Sequence, residues 1–238
     1  MLRQSDNRIN EQMIKQLTTF QNLSKAKQDR ITEAAITEFS EKGYTGASIN
    51  VLVESLGIAK GSIFQYFGDK KGLFLFIFNK STELVKERLR VIRDQTTNDT
   101  LLSRLEKTLN EGVSFLQNHP LIYKLYMKVL YDSKIPFRDE ILLSLRTYSF
   151  QYLRSLLDTA KKNGELREDL DLDKACFILD AVMDRFLQTQ TIRHLDAELG
   201  VYKADQTVIT SWIHDIVEMI NIGIGSQSSS QFTDRNKN

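Results

Sequence analysis

The sequence predicts an all-α fold in which a small three-helix domain built around a helix-turn-helix precedes a larger helical domain. Two observations predict it. Helix breakers are scarce, with two prolines and eleven glycines in 238 residues, which favours long helices over a turn-rich β-sandwich. Apolar residues also recur at spacings of three and four along most of the chain, the repeat of a helix with one buried face.

The bulk composition narrows the class further. Hydrophobic residues make up 41% and charged residues 26%, a globular balance and not a disordered one. A chain of this length buries roughly 70–75% of its unfolded surface, enough for a core without staples. Cys176 is the only thiol, so no intrachain disulfide exists and a secreted disulfide scaffold is excluded. The longest apolar run near the front, Leu73 to Phe78, is six residues, far short of a membrane span. The first thirty residues lack an apolar signal core, so the expected location is the cytoplasm. A net charge of +1 does not advertise a nucleic-acid partner, and any such contact must come from a local patch.

Residues 1–24 form a polar N-terminal extension with apolar beads at Ile9, Met13, Leu17 and Phe20. Their spacing suits one weak amphipathic helix. The pattern leaves open a packed arm, a loose extension or a nucleic-acid contact.

A first domain is expected over 25–71. Ile31, Ala34, Ala35, Glu38 and Phe39 form a helical stripe that ends at Gly43, a natural residue just past a helix end. After the turn Tyr44–Ala47, Ser48 caps a second helix that runs to about Leu56 and stops at Gly57. A third short helix runs from about Lys60 to Phe67. Gly68 and Asp69 break it, and Asp69 caps a long helix beginning near Lys70.

The second domain, 72–225, reads as long helices joined by short breaks. These lie at Asn98-Asp99, at Asn118-His119-Pro120 and around Ser133 to Pro136. Asp99 or Thr100 can cap the helix after the first break. Gly164 ends a helix carrying Ile141, Leu145, Tyr148, Tyr152 and Leu156, and Glu165–Asp173 is a charged linker. Two further helices are separated near Gly200. The Ser/Gln-rich tail 226–238 is expected to be disordered.

Catalytic constellations do not assemble. His119, His194 and His214 are scattered with no Glu-x-x-His pair, so no metal ligand set forms. There is no phosphate-binding Gly-rich loop and no serine elbow. Cys176 sits in an apolar helical stripe, as a buried thiol would. Neither an enzyme nor a cofactor is expected.

The informative segment is Ile49–Phe67, INVLVESLGIAKGSIFQYF. Two short helices meet at Gly57, with Ile58 and Ile63 placed to pin the second to the first. The second helix then presents Lys60, Ser62, Gln65 and Tyr66. A cation, hydroxyls and an amide are the groups that reach phosphates and base edges. By spacing alone, a plain packing hairpin remains open as well.

Beyond spacing, the stretch from Arg30 to about Leu75 resembles the N-terminal domain of the TetR (tetracycline-repressor-like) family of transcriptional regulators. The residues that carry the likeness are Ile31–Ala35, Phe39, Glu41–Tyr44, Ser48, Gly57-Ile58, Lys60–Phe67 and Lys70. The resemblance implies a sequence-specific DNA-binding regulator, most simply a repressor released from a palindromic operator by a small effector. It implies DNA-contacting roles for Ser48, Lys60, Gly61, Ser62, Gln65, Tyr66 and Lys70. Ser48, Tyr66 and Lys70 would meet phosphate, Gly61 would let backbone approach the duplex, and Gln65 would pair with adenine. Phe64 and Phe67 are expected in the core. The sequence departs from the family pattern at Val53 and Leu56, which are bulkier, at Ala59, which loses a capping hydroxyl, and at Gly68, where proline is usual.

The last two helices carry broad apolar stripes, Ala175 to Leu187 and Ile209 to Ile220. Together with the resemblance they imply a homodimer through about 174–195 and 204–222; a purely intrachain core is the other reading. The middle helices are rich in aromatics and Met. By resemblance, this domain encloses a pocket for a small apolar or aromatic effector, with Phe115, Tyr123, Met127, Tyr131, Phe150, Met183 and Phe186 as expected contacts. Arg185 and Asp184 would anchor a charged ligand head or merely pair on the surface. The helix from about Lys70 to Arg93 would join both domains as a lever. A transcriptional activator, or a helical carrier or enzyme that reuses the hairpin for packing, also fits the sequence.

Overall fold

The computed structural model describes residues 17–225. Ile9, Met13 and the 226–238 tail lie outside the described residues. Within them the chain is helical, with no β-strand beyond a single antiparallel bridge between Leu166 and Gly225. The helices are α1 (Lys25–Gly46), α2 (Ile49–Leu56), α3 (Lys60–Phe67), α4 (Lys70–Gln95), α5 (Leu101–Asn118), α6 (Pro120–Tyr131), α7 (Arg138–Lys162), α8 (Leu172–Thr189) and α9 (Gln206–Ile224).

The breaks have local causes. Gly43 takes φ 68°, ψ 176° inside α1 and ends its regular part. Gly57 adopts the left-handed conformation between α2 and α3, which a Cβ disfavours. Asp69 Oδ1 accepts from the Gly72 N–H at 2.7 Å and caps α4. Ser103 N–H donates to Thr100 Oγ1 at the start of α5. Pro120 opens α6, where its missing N–H costs nothing.

Two compact units result. The first comprises Met1–Lys86 and His119–Leu142. Here α1 packs on α2 and on α6, and α2 on α3. Phe39, Phe74, Tyr44 and Phe137 form an aromatic knot, with centroids 4.9–5.6 Å apart along Tyr44–Phe137, Phe39–Phe74, Tyr44–Phe74 and Phe74–Phe137. Edge-on and tilted pairs at such distances add about 0.5–1.5 kcal/mol each beyond burial. Phe20 is fully buried against Tyr66, Phe67 and Phe76. The end of the N-terminal extension is therefore a packed arm at Phe20.

The second unit comprises Glu87–Asn118 and Leu143–Asn238. Its core runs through Leu105, Leu109, Leu156, Leu157, Cys176, Leu179, Ile209 and Ile213. Gly112 allows α5 to approach α8 closely, since a Cβ there would stand 3.0 Å from the Leu187 methyls. Glu165 Oε2 accepts from the Leu101 N–H at 2.6 Å, so a residue of the expected linker caps a helix 64 positions earlier. That linker is also shorter than its composition suggested. Asp171 accepts from the N–H groups of Asp173 and Lys174, and α8 begins at Leu172.

Candidate nucleic-acid interface

The site is built on α2 and α3. Ser48 is the N-cap of α2; its Oγ accepts from the Val51 N–H at 3.5 Å, and its own N–H donates to Glu38 Oε1 at 2.8 Å. Accepting one hydrogen bond leaves the hydroxyl proton available for a phosphate. Leu52, Val53 and Leu56 turn inward, and the chain reverses through Gly57.

On α3, Ile63 and Phe67 are buried four residues apart. The opposite face exposes Lys60, Gly61, Phe64 and Gln65. Those four fall at offsets 0, 1, 4 and 5, which is one side of a helix. Ser62 and Tyr66 lie at its margins, half-buried. Tyr66 meets Phe20 and Phe67 edge-on at 6.0 and 6.1 Å, so its ring is held while one edge stays accessible. Ala59 supplies no side-chain cap to α3, which leaves the first N–H groups of the helix without that partner.

Phe64 corrects the sequence expectation. The sequence expects it in the core with Phe67, but its side of α3 faces solvent and it is 38% exposed. The Lys60 ammonium lies 5.8 Å from its ring centroid. The physical reason is helix phase: once Ile63 and Phe67 occupy the inward face, Phe64 is rotated about 100° away from Ile63. An outward phenylalanine is suited to contact a thymine methyl, and sequence reasoning did not single it out for that.

Lys70, in the first turn of α4, is half-buried. Its Nζ donates to the Thr45 carbonyl at 3.2 Å and lies 5.1 Å from the Tyr44 centroid. Burial lowers its pKa below the usual lysine value, and the negative charge of Glu38 opposes that shift. Burial, with the charge of Asp69, raises that of Tyr44. The last turn of α1, at Tyr44-Thr45, is thus tied to the start of α4 by a cation that also borders the α3 surface in sequence.

The seven expected effector contacts divide between the units. Tyr123, Met127 and Tyr131 belong to the first, where Tyr123 is buried and Tyr131 is 60% exposed. Phe115, Phe150, Met183 and Phe186 belong to the second, where Met183 and Phe186 join the core cluster, Phe115 is buried and Phe150 is partly exposed. Arg185 and Asp184 do not pair with each other: Asp184 accepts from Arg146 at 2.6 Å, and Arg185 donates to the Leu195 carbonyl at 3.2 Å. Among the described residues no His/Cys/Asp/Glu group could hold a metal ion, and no helix is long and apolar enough to cross a membrane.

Comparison with known proteins agrees with this geometry. Residues 31–77 match the family described as "Bacterial regulatory proteins, tetR family", and residues 72–224 match "Tetracyclin repressor-like, C-terminal domain". The HTH-type transcriptional repressor AcnR of Corynebacterium diphtheriae is 30% identical over 68% of this chain and 79% of its own length. A TetR family transcriptional regulator from Chloroflexus aurantiacus superposes with a TM-score of 0.64 at 28% identity, covering 88% of this chain and 98% of that one. The regulator FadR of Bacillus subtilis, solved with stearoyl-CoA, has a TM-score of 0.64 at 21% identity, covering 82% and 98%.

Proposed function

The chain belongs to the tetR family of bacterial regulatory proteins, and from that premise we propose that this DNA-binding regulator is a homodimeric repressor of the cytoplasm, released from a palindromic operator by a small apolar or aromatic effector. One observation carries the reading: α3 buries Ile63 and Phe67 while a single outward face holds Lys60, Gly61, Phe64 and Gln65. A helix with an anchored back and a mixed cationic, amide and aromatic front has the groups needed for the major groove. Ser48, Ser62, Tyr66 and Lys70 are the proposed phosphate contacts around it. Base reading falls to Gln65 and Phe64.

Dimerisation is supported by exposed apolar side chains on the last two helices. Phe177 and Ile222 are 71% and 78% exposed, and Ile178 and Met219 also face outward. Large apolar groups left in water on α8 and α9 favour a partner surface. A twofold pair of α3 helices one duplex turn apart then reads an inverted repeat.

The effector contacts are proposed among the aromatic and Met side chains of the second unit, where Phe115, Met183 and Phe186 are buried. The continuous helix α4 is the covalent path by which effector binding reaches α3. An effector that prefers one pose of the protein lowers operator affinity by its differential affinity, typically 1–3 kcal/mol.

The test is selection of bound duplexes from a random pool, followed by fluorescence anisotropy and sedimentation of the complex. An inverted-repeat consensus bound by two copies supports the reading. A pool that yields no consensus, or a one-to-one complex, refutes it. In-vitro transcription from a promoter carrying the consensus separates repression from activation.

A further inference from the structure

Arg104, in the first turn of α5, is only 3% exposed. Its Nε donates to Thr96 Oγ1 at 3.3 Å, and that hydroxyl, itself buried, donates onward to the Ile92 carbonyl at 2.7 Å. Among the described residues, that is the only hydrogen bond of the guanidinium side chain, and no carboxylate stands within 4.0 Å of it. The neighbouring acid, Asp99, is hydrogen-bonded to Lys107 and Ser103, and the Arg104 charge acts on it without direct contact. The other groups facing this region are Thr108, Tyr152, Tyr148 and Arg93, all in the second unit. Thr108 Oγ1 donates to the Arg104 carbonyl at 2.7 Å, so the Tyr152 hydroxyl, 2.9 Å from it, donates to Thr108. Tyr152 lies within electrostatic reach of both Arg104 and Arg93.

A largely buried cation with no carboxylate in direct contact is only partly compensated by a charge acting from further away. A guanidinium carries five N–H donors in a planar fork that fits carboxylate and phosphate oxygens two at a time. Here one donor is used. We propose that Arg104 anchors the anionic group, a carboxylate or a phosphate ester, of the effector that this regulator senses. The inference rests on the effector-responsive reading above and deepens it: the ligand carries an acid head. The second unit supplies the apolar side chains for the remainder of the molecule. An anion in contact with the fork would complete the compensation that Asp99 gives only from a distance.

The experiment uses the full chain and two small probes, inorganic phosphate and acetate, titrated against chloride at constant ionic strength. Thermal unfolding is read for the wild type, Arg104→Met and Arg104→Lys. The expected result is a saturable rise in Tm with phosphate or acetate in the wild type, absent in Arg104→Met and weakened in Arg104→Lys, which keeps the charge but loses the fork. Which probe acts tells phosphate from carboxylate. Without anion, Arg104→Met is expected to unfold at the same temperature as the wild type or higher. An equal anion response in wild type and Arg104→Met overturns the anchor. So does no response together with a lower Tm for Arg104→Met, which assigns Arg104 to bracing Thr96. Arg104→Lys gives the same decision should Arg104→Met yield no folded protein. Anisotropy on the selected duplex keeps the two readings apart. An Arg104-dependent anion response in a protein that binds no duplex preserves the site and refutes the regulator, whereas duplex affinity unmoved by saturating anion refutes the effector role.

Discussion

Lys70 reaches back to Thr45, its ammonium donating to the carbonyl oxygen at 3.2 Å while resting 5.1 Å from the Tyr44 ring. The cation proposed for a phosphate is therefore held by the last turn of α1. That pre-orders it. A lysine free in water loses most of its rotamer entropy on meeting a phosphate, about 2 kcal/mol, and Lys70 has given up part of that on folding. Lys70→Met is expected to weaken operator and non-operator duplexes alike. The slope of log K against log salt should fall by about one for each half-site. An unchanged slope in a folded variant removes Lys70 from the phosphate contacts.

Gln65 and Phe64 share the outward face of α3 and are suited to different chemistry. A carboxamide pairs bidentately with adenine, which discriminates by about 1–3 kcal/mol. A phenyl ring offers only contact with a thymine methyl. Gln65→Ala is expected to flatten one position per half-site in the selected-sequence logo. Phe64→Ala is expected to lower thymine preference at a neighbouring position, with a smaller loss. Identical logos for wild type and both variants would remove base reading from this face.

The contrast between Phe64 and Phe67 also marks how far the sequence is legible. Helix ends could be read because their causes are local: Ser48 caps α2, Asp69 caps α4 and Gly57 takes the left-handed turn, each within a few residues of its partner. The phase of α3 is less local. Phe64 lies one residue from Ile63 and three from Phe67, so a run of apolar residues fits either orientation until packing against α2 selects one. The seating of α6 on α1 has no local signal at all, because those helices are about eighty residues apart and meet through pairs such as Lys124 and Glu41 at 3.4 Å. Arg104 is the strongest case. In sequence it is one arginine in an amphipathic helix, and its burial depends on α7, whose Tyr152 stands 44 residues from its neighbour Thr108. The outward placing of Lys60, Gly61 and Gln65 on α3 is thus legible in the sequence, and the features that depend on distant helices are not.

Gly72 tests how α3 is fixed to α4. A Cβ at this position would stand 1.9 Å from the Phe67 carbonyl oxygen. Two residues earlier in the same turn is Lys70, and five residues earlier is the buried anchor of α3. In an open helix, alanine is favoured over glycine by about 1 kcal/mol. Here the clash with rigid backbone outweighs that preference, because forcing atoms into a packed site costs typically 1–3 kcal/mol and moves the backbone. Gly72→Ala is expected to lower the stability of the first unit and, by displacing α3, to weaken duplex binding beyond the loss of stability. Chemical denaturation followed at both units, with anisotropy on the folded fraction, measures the two effects separately. A Gly72→Ala protein as stable as wild type would show that the α3–α4 turn yields without cost.

Cys176 reports on the core of the second unit. The thiol is fully buried in α8, and burial pushes its pKa up to about 11 from an ordinary value of 9.0. A raised pKa means that the folded state favours the protonated thiol. Its contribution to stability is whole below pH 9, where the unfolded thiol is also protonated, and is lost as pH rises from 9 towards 11. Two pK units correspond to about 2.7 kcal/mol at the far end of that window. Denaturation midpoints of wild type and Cys176→Ala, compared at steps from pH 8 to 11, are expected to differ by a gap that changes in wild type's disfavour as pH rises. The same burial makes the thiol inert: at pH 8 a thiol reagent is expected to label it only at the rate of unfolding, because the reactive species is the thiolate. Labelling in the native state at the rate of a free thiol, with a pH-independent gap between the two proteins, would place Cys176 in contact with water and reopen the packing of α8 against α5.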